Sequence, residues 1–410
     1  MTSRIRNRTR HEIACSVSAM AFMTLAFVFP PSQPAKAQTF TVLHVFTGGK
    51  DGGYPVGPLR KGQDNDLYGA ANIGGKYLYG NVFKMTENGK HETILNSFRY
   101  WNGNDPNSYL TLDPSGVIYG ATFEGGDDNY NGTFYELSGK NKEKVIHQFP
   151  YLVSTDGYNP TGPMVVDAQG NFYGATRNGG PTNNGTIFKI DSSGNETVLY
   201  NFEGQADGSL PLGLVLGPDG AFYGATSCTY ECYSGGGNLF KVDTSGNLTT
   251  LYTFTGGADG NVPNGNLLID PAGNIYGTTN LGGTGPCSED GYTGCGTIFK
   301  LTPGGTESVL YNFQGTPDGQ SPSSGVIADG KGNLYGVTLW GGSTINTVGC
   351  GVVYELNAAG QEKVLHAFEA SDGCQPEGEL LLSKNVLYGA ANAGGANSVY
   401  GAIFKIDLKQ

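Results

Sequence analysis

The residues able to do chemistry are few, and most of them break an otherwise regular pattern. Glu124, Asp127 and Asp128 crowd one stretch beside Tyr130, Glu231 stands near Tyr233, and Glu289 precedes Asp290. Arg177 and the only two tryptophans, Trp101 and Trp340, complete the set. Two carboxylates flanking one bond about 5–10 Å apart can cleave a glycoside, and Glu124, Asp128 and Glu231 are the candidates for that role. Aromatic rings cover the apolar faces of sugars while Asp, Asn and Arg bond their hydroxyls. Trp101, Glu124, Arg177 and Trp340 are therefore the candidate binding residues for a neutral glycan. No nucleophile elbow, phosphate loop, EF-hand or His-rich metal motif occurs, so neither metal nor cofactor is expected. His44, His147 and His366 share one strand position that holds Tyr in three other copies of the pattern, which makes them packing residues.

Six of the seven cysteines lie in the second half of the chain. Cys228 and Cys232 share one loop, Cys287 and Cys295 another, and Cys350 and Cys374 occupy adjoining loops. They read as three local disulfides among the fifteen connectivities that six cysteines allow. Zinc is the alternative, but the spacings match no common ligand set and no His accompanies them.

What must position these groups is a repeat. Tyr-Gly recurs seven times in matching context, at Tyr68, Tyr119, Tyr173, Tyr223, Tyr276, Tyr335 and Tyr388. An apolar strand ending in Phe, an Asp-Gly-x-x-Pro segment (Asn102 replaces Asp in the second copy) and a strand such as Ile187-Phe188-Lys189 keep phase with it. In the third unit the expected strands are 164–167, 171–176, 186–191 and 197–202, joined by short turns rich in Asp, Gly and Asn. Four antiparallel strands per unit, with no helical period, predict an all-β, seven-bladed propeller. The 67 glycines and 15% charged residues, against about 7% and about 25% in ordinary domains, suit short strands and tight turns. Phe172 and Tyr173 are expected to pack on opposite neighbouring blades, and Gly174 to admit an adjoining backbone.

The pattern Gly-Asn-x-Tyr-Gly-x-Thr…Gly-Gly…Gly-Thr-x-Phe-Lys, as in Gly273 to Lys300, resembles the Gloeo/Verruco tandem repeat and, more loosely, the NHL-type propeller repeat. The resemblance implies an exported protein and places the segment before the Tyr-Gly strand innermost. Some members of the family continue into a C-terminal anchor; none is expected after Gln410. That strand order also implies how the ring closes, with the strand 41–46 completing the last blade beside 401–407.

Residues 1–37 read as an export signal. Arg4, Arg6, Arg8 and Arg10 precede a largely apolar run, and Ala35-Lys36-Ala37 offers a cleavage site before Gln38. One propeller domain over 38–410, secreted or periplasmic and monomeric, is the expectation, with no other segment able to cross a membrane. Signal removal takes away five positive charges and one negative, moving the formal charge from −12 to −16. Such a surface repels polyanions, which excludes nucleic acid as a partner.

The longer, variable loops after Tyr-Gly and around Asp-Gly-x-x-Pro share one side of the ring, where function is expected. The leading reading is a binding module for neutral glycan. A carbohydrate-degrading enzyme, hydrolase or lyase, and a scaffold for an extracellular protein partner are the alternatives.

Overall fold

The computed structural model describes residues 38–106, 109–127, 131–150, 156–204, 206–227, 236–289, 292–342 and 349–408. Each unit of the repeat forms a four-stranded antiparallel blade, and seven blades stand around one axis. In blade three the strands run Gly157–Val166, Phe172–Gly179, Thr186–Ile190 and Glu196–Asn201, paired in that order. The first strands meet at the centre, where Gly57 lies against Gly378, Gly162 against Gly213 and Gly265 against the backbone of Ser324 and Gly325. The ring closes as the sequence predicts. Thr39–Val45 pairs antiparallel with Ala402–Asp407, setting Phe40 opposite Ile406 and Val42 opposite Phe404.

Apolar residues from neighbouring blades fill each junction. Phe172 packs 4.7 Å from Phe134 and 4.8 Å from Tyr119 of blade two, while Tyr173 turns to Phe222 of blade four at 4.6 Å. Opposite faces of one strand thus serve opposite neighbours, as alternation requires. The Gly of Tyr-Gly has a different partner from the one expected. A Cβ on Gly174 would meet the Phe188 ring of the next strand in its own blade at 2.7 Å, and Gly69, Gly224 and Gly277 face the equivalent rings at 2.5–2.6 Å. The missing side chain makes room for an aromatic ring in each of these blades, and at Gly224 for the Gly213 carbonyl as well.

The Asp-Gly-x-x-Pro segment also differs from the loop expected of it. In blade three the innermost strand begins at Gly157, directly after Asp156, and it bulges between Thr161 and Val165. Its proline locks the ring. Pro106 sits on Gly80, Pro160 on Gly132, Pro211 on Gly185 and Pro263 on Gly237; Pro322, Pro376 and Pro55 sit likewise on Gly296, Gly351 and Gly401. A Cβ on any of these glycines would lie 2.5–2.8 Å from the proline Cδ.

The residue before each proline is left-handed, with φ between 53° and 56° at Tyr54, Asp105, Asn159, Leu210, Val262, Ser321 and Gln375. None is glycine, so each carries strain of about 1–2 kcal/mol. A hydrogen bond across the junction offsets it. Tyr54 donates its N–H to Tyr400 O at 2.8 Å, Leu210 to Asn184 O and Gln375 to Cys350 O, both at 2.9 Å.

Candidate functional site

The two sides of the ring differ in kind. On the turn side, a groove of about 480 Å³ between blades four and five is lined by Asp219, Tyr223 and Lys241. Tyr223 donates to Asp219 at 2.9 Å, and Tyr68–Asp64, Tyr173–Asp167 and Tyr276–Asp270 repeat the bond in other blades. These groups brace turns, so the groove belongs to the scaffold.

On the loop side the segment leading into one first strand meets the loop after the second strand. Asn104 N donates to Glu124 O at 2.8 Å, and Glu124 N to Asn104 O at 3.0 Å. There, between blades seven, one and two, a pocket of about 400 Å³ opens. Three sets of repeat-equivalent positions build it. Tyr54 and Asp105 are the left-handed residues before proline; Asn72 and Asn392 stand four residues after the Tyr of Tyr-Gly; Ile73 and Glu124 stand five after it.

Within the pocket, Glu124 Oε2 accepts from Asn104 Nδ2 at 2.9 Å. Asp105 is half-buried, and its Oδ1 is shielded from solvent with no hydrogen-bond partner among the described residues. Burial, helped by the neighbouring Glu124 charge, pushes the Asp105 carboxyl up to about 6. Asn72 Oδ1 is likewise shielded and unpartnered. Asn392 donates to Glu377 Oε2 at 3.1 Å, and burial raises that carboxyl too.

An aromatic cluster is built on the segment that leads to Asn104. Trp101 is 55% exposed, and the Arg99 guanidinium lies 5.2 Å from its ring and 4.2 Å from that of Tyr77. Arg99 also donates to the Tyr77 hydroxyl. Tyr79 and Tyr100 pack beside them with ring centroids 5.5 Å apart.

Further from the axis, each junction carries a second, repeated cluster that explains the histidines. Tyr200, Tyr252 and Tyr311 donate to Asp207, Asp259 and Asp318 of the Asp-Gly pairs at 3.0, 2.9 and 2.5 Å. His366 takes the same place, 3.0 Å from Asp372, and His44 lies 3.5 Å from Asp51. Where the strand position holds Asn96, the Asp is Asn102, and both amides donate to Glu143 at 2.5 and 2.8 Å. The fourth strand of the next blade brings a Glu to most of these clusters. Glu92, Glu143, Glu196, Glu307 and Glu362 each keep Oε1 buried without a hydrogen-bond partner among the described residues. Burial pushes Glu92, Glu143, Glu307 and Glu362 up to about 7, with Asp51, Asp259 and Asp318 adding to it at the first, third and fourth.

Of the residues singled out in the sequence, Glu124 lines the pocket, and Trp101 is exposed on the segment before Asn104. Arg177 is exposed on blade three at the position that Asn72 and Asn392 hold in blades one and seven. Trp340 ends the strand Leu334–Trp340 of blade six opposite Gln320, and it is half-buried. Asp128, Tyr130, Glu231, Tyr233, Asp290, Cys228 and Cys232 lie outside the described residues. Two of the expected disulfides are present, Cys287–Cys295 and Cys350–Cys374, with Cα atoms 5.0 and 4.5 Å apart. The second ties blade six to blade seven. Among the described residues no group of three metal-ligating side chains converges, and no helix is long and apolar enough to cross a membrane.

Sequence reasoning missed Asp105, Tyr54, Asn72, Asn392, Arg99 and Tyr77. A signal for the first two existed. The residue before the proline is Tyr, Asp, Asn, Leu, Val, Ser and Gln in the seven copies, the one place in that motif where every copy differs.

Solved structures share the fold. The streptogramin B lyase structure superposes with a TM-score of 0.61 at 14% identity, over 92% of this chain and 100% of the other. Oligogalacturonate lyase in complex with manganese gives 0.55 at 14%, over 91% and 97%. The extracellular domain of a one-component system from B. thetaiotaomicron gives 0.55 at 13%, over 91% of this chain and 42% of that one. Identities this low establish the architecture alone, and such propellers serve as enzymes and as binding proteins. No curated protein matches the chain. The Gloeobacter/Verrucomicrobia repeat matches residues 110–289 and 284–410, so the chain belongs to that repeat family.

Proposed function

We propose that this protein is an exported binding module that holds a neutral glycan on the loop side of blades seven, one and two. The observation that carries the reading is the pocket of about 400 Å³, whose polar lining is amide, phenol and carboxylate. Such groups offer both donors and acceptors to sugar hydroxyls. The exposed Trp101 ring, three residues before Asn104 of the pocket wall, would supply the apolar surface on which a pyranose face stacks. Residues 1–37 would direct export, and the two disulfides fit an oxidising compartment. Arg177, at a position equivalent to Asn72, extends the polar rim toward blade three for a longer ligand. The formal charge disfavours anionic glycans.

Isothermal titration with cello-, xylo- and manno-oligosaccharides tests the reading. One of them should bind, and Trp101→Ala should weaken it about tenfold, as loss of an aromatic anchor does. Absence of binding across the panel, or an affinity untouched by Trp101→Ala and Asn72→Ala, would exclude this site.

A further inference from the structure

Asp105 and Glu124 each break the repeat, at different positions, in the same blade. Asp105 is the sole acid among the seven residues that precede a junction proline. Glu124 is the sole acid among its seven equivalents, which are otherwise Ile73, Asn178, Cys228, Leu281, Trp340 and Ala393. Six junctions form without either carboxylate, so the ring does not need them. Both nevertheless open into one pocket.

Their surroundings also differ in a useful way. Glu124 accepts a hydrogen bond from Asn104, which suits a carboxylate. Asp105 Oδ1 is shielded and has no partner among the described residues, which suits a carboxylic acid whose partner arrives with the ligand. Asn72 Oδ1 on the same wall waits for a donor too. The proton affinity of Asp105, up to about 6, agrees with the geometry.

We infer that this pocket cleaves the glycan it holds, with Asp105 as the general acid and Glu124 as the second carboxylate. The inference rests on the neutral-glycan reading of the same site. Asp105 gives its proton to the glycosidic oxygen, and the C1–O bond breaks with its electron pair going to that oxygen, so an alcohol leaves. Positive charge gathering at C1 and the ring oxygen is balanced by the Glu124 carboxylate. Water then bonds to C1. If it attacks directly, Glu124 takes up its proton and the anomer inverts. If Glu124 first forms an ester at C1, the proton returns to Asp105 and the anomer is retained. Either way one water is consumed and no electron is exchanged with an outside reagent.

The test measures reducing ends released from the same cello-, xylo- and manno-oligosaccharides alongside titration of binding. Asp105→Asn should lower kcat at least a hundredfold, the ordinary contribution of a general acid, while Kd changes less than fivefold. Asp105→Ser serves as the second variant, because Ser321 shows that the junction accepts serine there. In the unaltered protein kcat should fall as pH rises above about 6, the range in which Asp105 loses its proton. Glu124→Gln should also abolish release. Binding without any release by the unaltered protein would overturn this inference and leave the binding module standing. Neither binding nor release would sink both. Release that survives in all three folded variants would place the chemistry elsewhere and overturn the assignment.

Discussion

On the outer rim of the loop side, Asp318 accepts hydrogen bonds from the Tyr311 hydroxyl at 2.5 Å and from Gln314 N at 3.0 Å, and other junctions repeat the arrangement. Toward the axis, Asp105 stands in an equally regular backbone yet keeps one oxygen shielded and unpartnered, and no other copy has an acid there. Both are aspartates a few residues from the same proline motif. A carboxylate repeated around the ring, with its lone pairs used, holds loops in place. One that appears once, with a lone pair unused, is left for something the chain does not itself contain. Repetition thus separates the carboxylate that supports the ring from the one to which we assign chemistry.

The largest effect should come from breaking the lock that both regions share. Gly185→Ala puts a Cβ 2.6 Å from Pro211 Cδ and 2.9 Å from Arg177 O, at φ 96°. It should cost more than about 3 kcal/mol, read by chemical denaturation; a loss under 1 kcal/mol would show that the junction yields.

Next comes the rim against the mouth. Asp318→Ala strands the Tyr311 hydroxyl and the Gln314 amide and should cost about 3 kcal/mol. Asp105→Ser should change stability by less than about 1 kcal/mol. Equal costs would erase the distinction.

The rim also predicts how stability depends on pH. Glu92, Glu143, Glu307 and Glu362 are raised from 4.5 to about 7 in the folded ring, so folding takes up protons. Their contribution is complete below about pH 4.5 and is lost as pH rises through about 7. His44, held down by burial, opposes this as pH falls below its ordinary 6.5. The melting temperature should therefore drop by a few degrees between about pH 5.5 and about pH 8.5. Glu307→Gln with Glu362→Gln should flatten that slope, and a slope unchanged in the double variant would remove these groups as its source.

The smallest effect is a gain. Tyr135 and Tyr354 fill the third-strand position that Phe83, Phe188, Phe240, Phe299 and Phe404 hold elsewhere. Their hydroxyls are buried without hydrogen-bond partners among the described residues. Tyr135→Phe should stabilise the ring by about 1 kcal/mol, and a loss in thermal melting would reveal a bond for that hydroxyl.

The sequence made the scaffold readable because seven copies vote on each position. Tyr-Gly and the strand-ending Phe follow from agreement among copies, and the strand that closes the last blade follows from the resemblance to propeller repeats. The mouth was harder to read. Asp105 hides in a segment full of turn formers, and its meaning depends on which loop residue lies across from it. That pairing, Asn104 with Glu124, is set by strand register, which local composition does not encode. Trp340 stands out in the sequence by its rarity, and its place at the end of a strand, which half-buries it, is likewise set by register.

The pairing of Thr39–Val45 with Ala402–Asp407 joins segments from opposite ends of the propeller. Contacts so distant along the chain slow folding, because loop entropy must be lost before the pairing rewards it. During synthesis the first strand has no partner until the last one exists, and Ala402–Asp407, once made, presents an open edge until Thr39–Val45 pairs with it. The ring therefore matures last at its seam, and aggregation through that edge competes with closure at the final moment of folding.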